Sequence, residues 1–349
     1  MTQGTPNDAH DGIDVAVVGA TGAVGEEMRR LLLERRFPIR TLRFFTSDRS
    51  AGTTIPFGER AITAEVLSEG CFAGVQLALF SAGAGVSREW GPKAVAAGAL
   101  VVDNSSAWRM DPSIALVVPE LNARRIPPPP ALIANPNCST IQMVVALQPL
   151  HERFGLERVI VSTYQSTSGA GRRAMTELDE ASRGYHAGAE PAPVKFPHTI
   201  AFNLVPQVDE FDRLDYTKEE WKMVNETRKI MEIPELPVTA TCVRVPVHRG
   251  HSEVVWARFA KPVDAAKARE ALAAFEGIVV EDDPAARRYP TPRSAAGHDP
   301  VYVGRLRRDP TDDHALVFWV VSDNLLKGAA LNAVQIAEAA FRTVGTPAS

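Results

Sequence analysis

Cysteine is scarce in this 349-residue chain: Cys71, Cys138 and Cys242 stand alone and far apart. Three thiols so scattered exclude a disulfide framework and a thiolate zinc site, and they suit a reducing compartment. Long apolar runs are missing as well. None approaches the length that crosses a bilayer, and the N-terminus lacks the charged-then-apolar layout of a signal peptide. Nor does charge of one sign prevail. With 38 Lys and Arg against 42 Asp and Glu, the formal net charge is -4 and no basic block occurs, so nothing points to nucleic acid. No internal repeat or low-complexity segment stands out apart from Pro127–Pro130. These absences leave a cytoplasmic globular protein with no membrane partner. Its 45% hydrophobic and 23% charged residues are ordinary for that class, and its length allows two domains with cores of their own.

Residues 1–12 are polar and irregular and read as a flexible tail. Ile13–Val18 then reads as a buried strand, Gly19-Ala20-Thr21-Gly22-Ala23-Val24-Gly25 as a glycine-rich turn, and Val24–Arg36 as an amphipathic helix. Strand, glycine turn and helix form the context of a dinucleotide site, where the backbone approaches a pyrophosphate at the helix start. The GxxGxxG spacing is not the commoner GxGxxG, and a plain structural turn is the alternative. The strand Thr41–Thr46 ends in Ser47-Asp48-Arg49-Ser50. Arg49 and Ser50 favour the 2′-phosphate of NADP, whereas Asp48 beside them suits NAD. A further βαβ rhythm follows through the strand Val75–Ser81, a helix over Trp90–Ala97 and the strand Leu100–Asp103, which predicts a parallel, doubly wound sheet. The loop after Asp103 holds Arg109, either an anion ligand or a surface arginine.

The stretch with the most chemistry is Asn135-Pro136-Asn137-Cys138-Ser139-Thr140, set between the apolar run Ala131–Ala134 and the periodic segment Ile141–Leu150. Strand, tight turn and helix put Cys138 at a helix N-terminus. There the dipole and free N–H groups are expected to stabilise a thiolate and to receive an oxyanion or phosphate. The competing reading is a buried cysteine that acts as a small hydrophobe.

From about Leu156 long strand-like runs dominate, at Leu156–Gln165, Val238–Val247, Ser252–Phe259 and Ala315–Ser322. They predict a mostly antiparallel α+β second domain with helices on one face. Thr217-Lys218-Glu219-Glu220 is a capping box, and in the helix it opens Glu219 and Lys222 share a face at i and i+3. Leu326–Thr343 reads as a closing helix. Two runs can carry chemistry: Ser162–Gly171, with Gln165 and a Ser/Gly turn, and Arg244–His251, with two arginines and two histidines. Each histidine taken singly reads more readily as structural than as catalytic.

The chain as a whole resembles the bacterial-type aspartate-semialdehyde dehydrogenases, from about Ile13 to Glu338. The carriers are GATGAVG, the Asn-Cys-Ser-Thr turn, YQSTSGAG, RVPVHRGHSE and SDNLLKGAALNAVQIAE, in that order. The resemblance implies a Rossmann-type NADP-binding domain over 13–137, completed by the C-terminal helix 325–349, and a catalytic and dimerisation domain over 138–324. It implies Cys138 as the nucleophile that forms an acyl-thioester, His251 as acid/base and Gln165 as the residue orienting substrate. Arg244 then holds the α-carboxylate and Glu219 faces the α-amino group, with Glu220 left to the cap. Arg109, Asn137 and Lys222 hold phosphate. Thr21, Gly22, Ala23, Val24, Arg49, Ser50, Ser168, Gly169 and Asn324 contact NADP. Some relatives have Gln at the position of Asn324. No metal is implied, and the expected assembly is a homodimer or a tetramer built from dimers. The implied reaction reduces L-aspartyl-4-phosphate to L-aspartate 4-semialdehyde, towards lysine, methionine, threonine and diaminopimelate. Rival readings are an N-acetyl-glutamyl-phosphate reductase, a related dehydrogenase with another acyl chain, and a non-catalytic nucleotide-binding relative.

Overall fold

The computed structural model describes residues 12–189 and 191–341, so residues 1–11 of the expected tail and 342–349 of the closing segment lie outside the described residues. The first half runs β1 (Ile13–Val18), α1 (Ala23–Glu34), β2 (Ile39–Thr46), β3 (Thr54–Phe57), β4 (Arg60–Thr63), β5 (Glu65–Val66), β6 (Leu77–Phe80), α2 (Ala84–Ala96), β7 (Leu100–Asp103), β8 (Ala115–Leu116), α3 (Pro119–Asn122) and β9 (Ala131–Ala134). Apart from the β3–β4 hairpin, these strands form one sheet in the order β5-β2-β1-β6-β7-β9-β8, with every neighbouring pair parallel.

The apolar runs follow from burial on both faces. In β1, Val15 and Val17 join one core with Met28, Leu31 and Leu32 of α1, while Ala16 and Val18 join another with Phe80 and Val101. Successive residues point to opposite faces, so a strand covered on both sides must be apolar throughout. Strand order reverses between β1 and β6, the place where such sheets open a ligand crevice. The turns after these two strands touch. Gly19 has φ +85°, and a Cβ there would stand 2.5 Å from the Ser81 carbonyl oxygen, so only glycine fits.

The nucleophile turn leads into α4 (Cys138–Phe154), which carries the chain into the second half. There follow β10 (Leu156–Gln165), α5 (Arg172–His186), α6 (Lys218–Ile230), β11 (Val238–Arg244), β12 (His251–Phe259), α7 (Ala265–Ala273), β13 (Ile278–Val280), α8 (Pro292–Ala295), β14 (Val301–Arg308) and β15 (Ala315–Ser322). The sheet order is β11-β10-β12-β15-β14-β13. Its inner pairs are antiparallel as expected, but the outermost pairs, β10–β11 and β13–β14, are parallel, so the sheet is mixed. α4 covers its inner face, with Val144 and Leu147 in one core with Val161, Val255 and Phe318. At the ends of three adjacent strands this face turns polar: Arg244, Gln165 and His251 are all buried.

The closing helix differs in detail from the expected Leu326–Thr343. It opens with a π-helical turn, Leu326–Ala330, and continues as α9 (Leu331–Phe341), packed with α1 on the first sheet. Among the described residues no helix is long and apolar enough to cross a membrane.

Candidate active site

Asn137 caps α4: its side-chain oxygen accepts from the N–H groups of Ser139 at 3.0 Å and Thr140 at 3.2 Å. Cys138 is the first helical residue and lies half-buried in a cleft of about 930 Å³ between the two sheets. The π-helical turn closes over it, since a Cβ on Gly328 would come 2.9 Å from the Cys138 Cβ. Enclosure by protein and the nearby Glu219 carboxylate push the thiol up to about 12, although Arg109 and Arg244 pull the other way. Burial thus opposes the thiolate expected from the helix start. The Ser139 N–H, shared with the Asn137 cap, still pulls the thiol down, but desolvation outweighs it together with the two arginines.

Glu219 is the hub on the second-domain side. Its Oε1 accepts from Asn137 Nδ2 at 2.8 Å and Gln165 Nε2 at 3.0 Å, and its Oε2 accepts from Lys222 Nζ at 2.9 Å. Burial alone raises its pKa, but the Lys222 charge and these three hydrogen bonds together hold it down at about 2. Lys222 also donates to Asp209 at 2.7 Å. Glu220 is turned away: it accepts from the N–H of Thr217 in the capping box and from that of Cys242. Glu219, Lys222, Arg244, Arg109, Asn137 and Gln165 all line the cleft. The structure thus brings together the substrate and phosphate groups singled out in the sequence.

His251 is completely buried beneath Gly169, where a Cβ would come 3.0 Å from its Nε2 and 3.2 Å from Arg244 Nη1. The Ser166 N–H donates to Nδ1 at 3.0 Å, so in the neutral ring the proton sits on Nε2, which has no partner among the described residues. Burial, then the Arg244 charge, depress its pKa to about 3. No hydrogen bond joins it to the Cys138 thiol among the described residues.

On the nucleotide side the cleft is lined by Val24, Gly83, Ser168, Gly169 and Asn324. The Asn324 side-chain oxygen accepts from the Ser166 and Ser168 hydroxyls and the Gly250 N–H, which turns its amide donors elsewhere. Thr21, Gly22 and Ala23 form the turn ahead of Val24, and Thr21 is tied to the end of β2 by a 2.9 Å contact with Thr46. Arg49 and Ser50 are not brought into the cleft. They sit in a short helical turn, Asp48–Ser50, with Arg49 exposed. A dinucleotide fits this arrangement: α1 starts at Gly22 with no side-chain cap, leaving its first N–H groups open.

Sequence reasoning missed Asp209 and Glu226, and it gave no role to Ser166 or Gly328 although both lie in motifs it singled out. Glu226 carried a readable signal: it lies seven residues after Glu219, on the same face of α6. Asp209 carried none.

Comparison with known proteins accords with this geometry. Residues 14–127 match the family model of the semialdehyde dehydrogenase NAD-binding domain, and 147–327 that of the semialdehyde dehydrogenase dimerisation domain. The aspartate-semialdehyde dehydrogenase of Aquifex aeolicus is 49% identical over 331 residues, covering 94% of this chain and 97% of that protein. The crystal structure of aspartate semialdehyde dehydrogenase II from Vibrio cholerae, complexed with ASA, is 44% identical. It superposes with a TM-score of 0.91 and covers 95% of this chain and 99% of its own. The Candida albicans enzyme, solved with NADP, is 28% identical with a TM-score of 0.74, covering 94% of this chain and 98% of its own. On this likeness over nearly its whole length, the chain belongs to the aspartate-semialdehyde dehydrogenase family.

Proposed function

We propose that the protein is an NADP-dependent phosphorylating aldehyde dehydrogenase that interconverts L-aspartyl-4-phosphate and L-aspartate 4-semialdehyde plus phosphate, on the route to lysine, methionine, threonine and diaminopimelate. One observation carries the reading: a single thiol lies in a cleft that also holds Glu219, Arg244, Arg109 and Lys222, and that extends to the nucleotide turn at Val24. Residues 13–137 with 325–341 are assigned to nucleotide binding, and 138–324 to catalysis and dimerisation.

Arg244 grips the substrate α-carboxylate with its guanidinium fork and Glu219 takes the α-ammonium. Burial is the larger reason the thiol is neutral and the Glu219 charge the next; the incoming ammonium offsets that charge and so favours ionisation of Cys138. The thiolate attacks the acyl carbon while Gln165 orients the chain. Arg109, Asn137 and Lys222 offset charge on the departing phosphate. NADPH, when bound against Thr21–Val24, Arg49, Ser50, Ser168, Gly169 and Asn324, supplies the hydride that reduces the thioester. His251 offers its Nε2–H as a hydrogen bond to the oxyanion left by hydride transfer, and collapse of that species breaks the C–S bond to release the aldehyde and the Cys138 thiolate; in reverse the same N–H steadies the oxyanion formed when the thiolate adds to the aldehyde. An N-acetylated substrate has no ammonium to offer Glu219, which disfavours that rival.

A cytoplasmic homodimer, or a tetramer of two such dimers, is the assembly proposed. Its support is the match to a dimerisation-domain model and the apolar outer face of the second sheet, where Ile160 is exposed and Trp256 and Trp319 are half-covered. The test of the function is NADPH formation from aspartate semialdehyde with and without phosphate. Phosphate-dependent turnover is expected. Its absence from folded, NADP-binding protein would overturn the reading.

A further inference from the structure

Helix α6 presents Glu219, Lys222, Glu226 and Lys229 at spacings of three, four and three, a single face of alternating charge. The first pair reaches the cleft. The second pair lies further along the helix, and both of its members hold Arg109. Glu226 is almost fully buried, and its two oxygens are divided: Oε1 is 3.2 Å from Arg109 Nη1, and Oε2 accepts from the Asn137 N–H at 2.6 Å. Lys229 donates to the carbonyl oxygens of Arg109 at 2.8 Å, Asp111 at 2.7 Å and Ile114 at 2.8 Å, which pins the loop that carries the arginine.

Arg109 makes two more bonds, from Nε to the Asn135 carbonyl at 2.9 Å and from Nη2 to that of Asn104 at 3.0 Å. A guanidinium has five N–H groups, so with three engaged one remains on each terminal nitrogen. That leaves a two-pronged fork on a residue lining the cleft, the geometry that suits two oxygens of a tetrahedral oxyanion. The direction of the fork is set by what holds the other three N–H groups. Of these holders only Glu226 is charged; the Asn135 carbonyl is part of the turn that bears Cys138, and Glu226 ties Arg109 to that turn a second time through the Asn137 N–H.

We propose that Glu226 is a positioning residue of the phosphate subsite: its shared carboxylate fixes the Arg109 fork relative to the Cys138 turn, with Lys229 fixing the backbone of the same arginine. The proposal rests on the phosphorylating reading above. Neither residue touches substrate. A neutral isostere can satisfy one contact but not both. The single oxygen of Glu226→Gln can accept from Asn137, but its NH2 group then faces the donors of Arg109, and the fork loses its anchor.

The test separates acylation from phosphorolysis. Without phosphate, aspartate semialdehyde and NADP give a burst of NADPH as the thioester forms; phosphate then releases the acyl group and allows turnover. For Glu226→Gln the expected result is a burst amplitude and a KM for aldehyde within about twofold of wild type, with the KM for phosphate raised about tenfold or more. An unchanged phosphate KM overturns the proposal, as does an equal rise in both KM values, which marks a general structural loss. Should Glu226→Gln fail to fold, Lys229→Met decides, because water can enter beside half-buried Lys229 and serve its three carbonyls. A phosphate-selective rise of about threefold supports the proposal, and no selective change overturns it. Wild type without phosphate-dependent NADPH formation overturns the functional reading itself, and this inference with it.

Discussion

The helix starts at Ala23 and Cys138 both follow a strand of the parallel sheet, yet the first is left open and the second is closed by its own chain. Ahead of α1 stands Gly22, with no side chain to cap the helix. Ahead of α4 stands Asn137, whose side-chain oxygen takes the N–H groups of Ser139 and Thr140 and whose amide reaches Glu219. An open start offers its dipole and donors to a ligand. A capped and enclosed start offers little of either, and the Cys138 thiol stands at about 12 instead of below its usual range. A helix N-terminus is therefore not by itself a thiolate site. Here burial, and after it the Glu219 charge, oppose ionisation of the thiol.

The largest effect expected from this contrast lies at the closed start. Cys138→Ser should lower kcat about 1000-fold or more, since a serine hydroxyl is a far weaker nucleophile in surroundings that already oppose ionisation. The open start should not notice, and the NADP dissociation constant is expected to stay within about twofold. Steady-state kinetics and nucleotide titration of the same preparation check both halves. Substantial turnover in the mutant would remove Cys138 from the mechanism.

Enclosure also sets the acid response. His251 has a folded pKa of about 3 against an ordinary 6.5, so as pH falls the unfolded chain takes up the proton first. Stability is then lost progressively from pH 6.5 down towards 3, by about 2 kcal/mol at pH 5. Glu219, at about 2 against 4.5, acts with the same sign but only below pH 4.5. His251→Asn is expected to flatten the decline in urea midpoint between pH 6.5 and 5 and to leave the steeper fall below it. An identical slope in both proteins would mean that His251 is not held neutral by its surroundings.

What was legible in the sequence was local. The glycine turn, the Asn137–Cys138 step and the Thr217 capping box are each made by residues a few positions apart, and each formed as read. The alternation of Val15 and Val17 against Ala16 and Val18 marked a strand buried on both faces. What stayed hidden depends on long-range approach. Strand β14 carries Gly304, where a Cβ would meet the Glu281 carbonyl oxygen at 2.4 Å, and its register slips between Gly304 and Arg307. Such a glycine reads as a loop until its neighbour is known. Glu226 was visible on the stripe of α6, but its grip on Arg109, 117 positions earlier, was not. The capped, enclosed state of Cys138 likewise depends on Glu219 and Gly328 arriving from distant parts of the chain.

The contrast can be broken from the other side by moving the cap. Gly22 has φ -74° and ψ 164°, extended backbone that any residue adopts, and a Cβ there meets only the Gly19 carbonyl oxygen at 3.3 Å. Gly22→Asn should therefore fold, with a shift of a few tenths of an ångström, and give α1 the start that Asn137 gives α4. The gain in stability is expected to be small, a few tenths of a kcal/mol, because glycine is already tolerated at this position. The new side-chain oxygen would, however, take the N–H groups of Val24 and Gly25 that face the nucleotide site. NADP should then bind about tenfold more weakly, about 1.4 kcal/mol, with the Cys138 half of the cleft unaltered. Isothermal titration against wild type reads this directly. Unchanged affinity would mean that the open start of α1 is not where the pyrophosphate rests, and the difference between the two helix starts would lose its functional meaning.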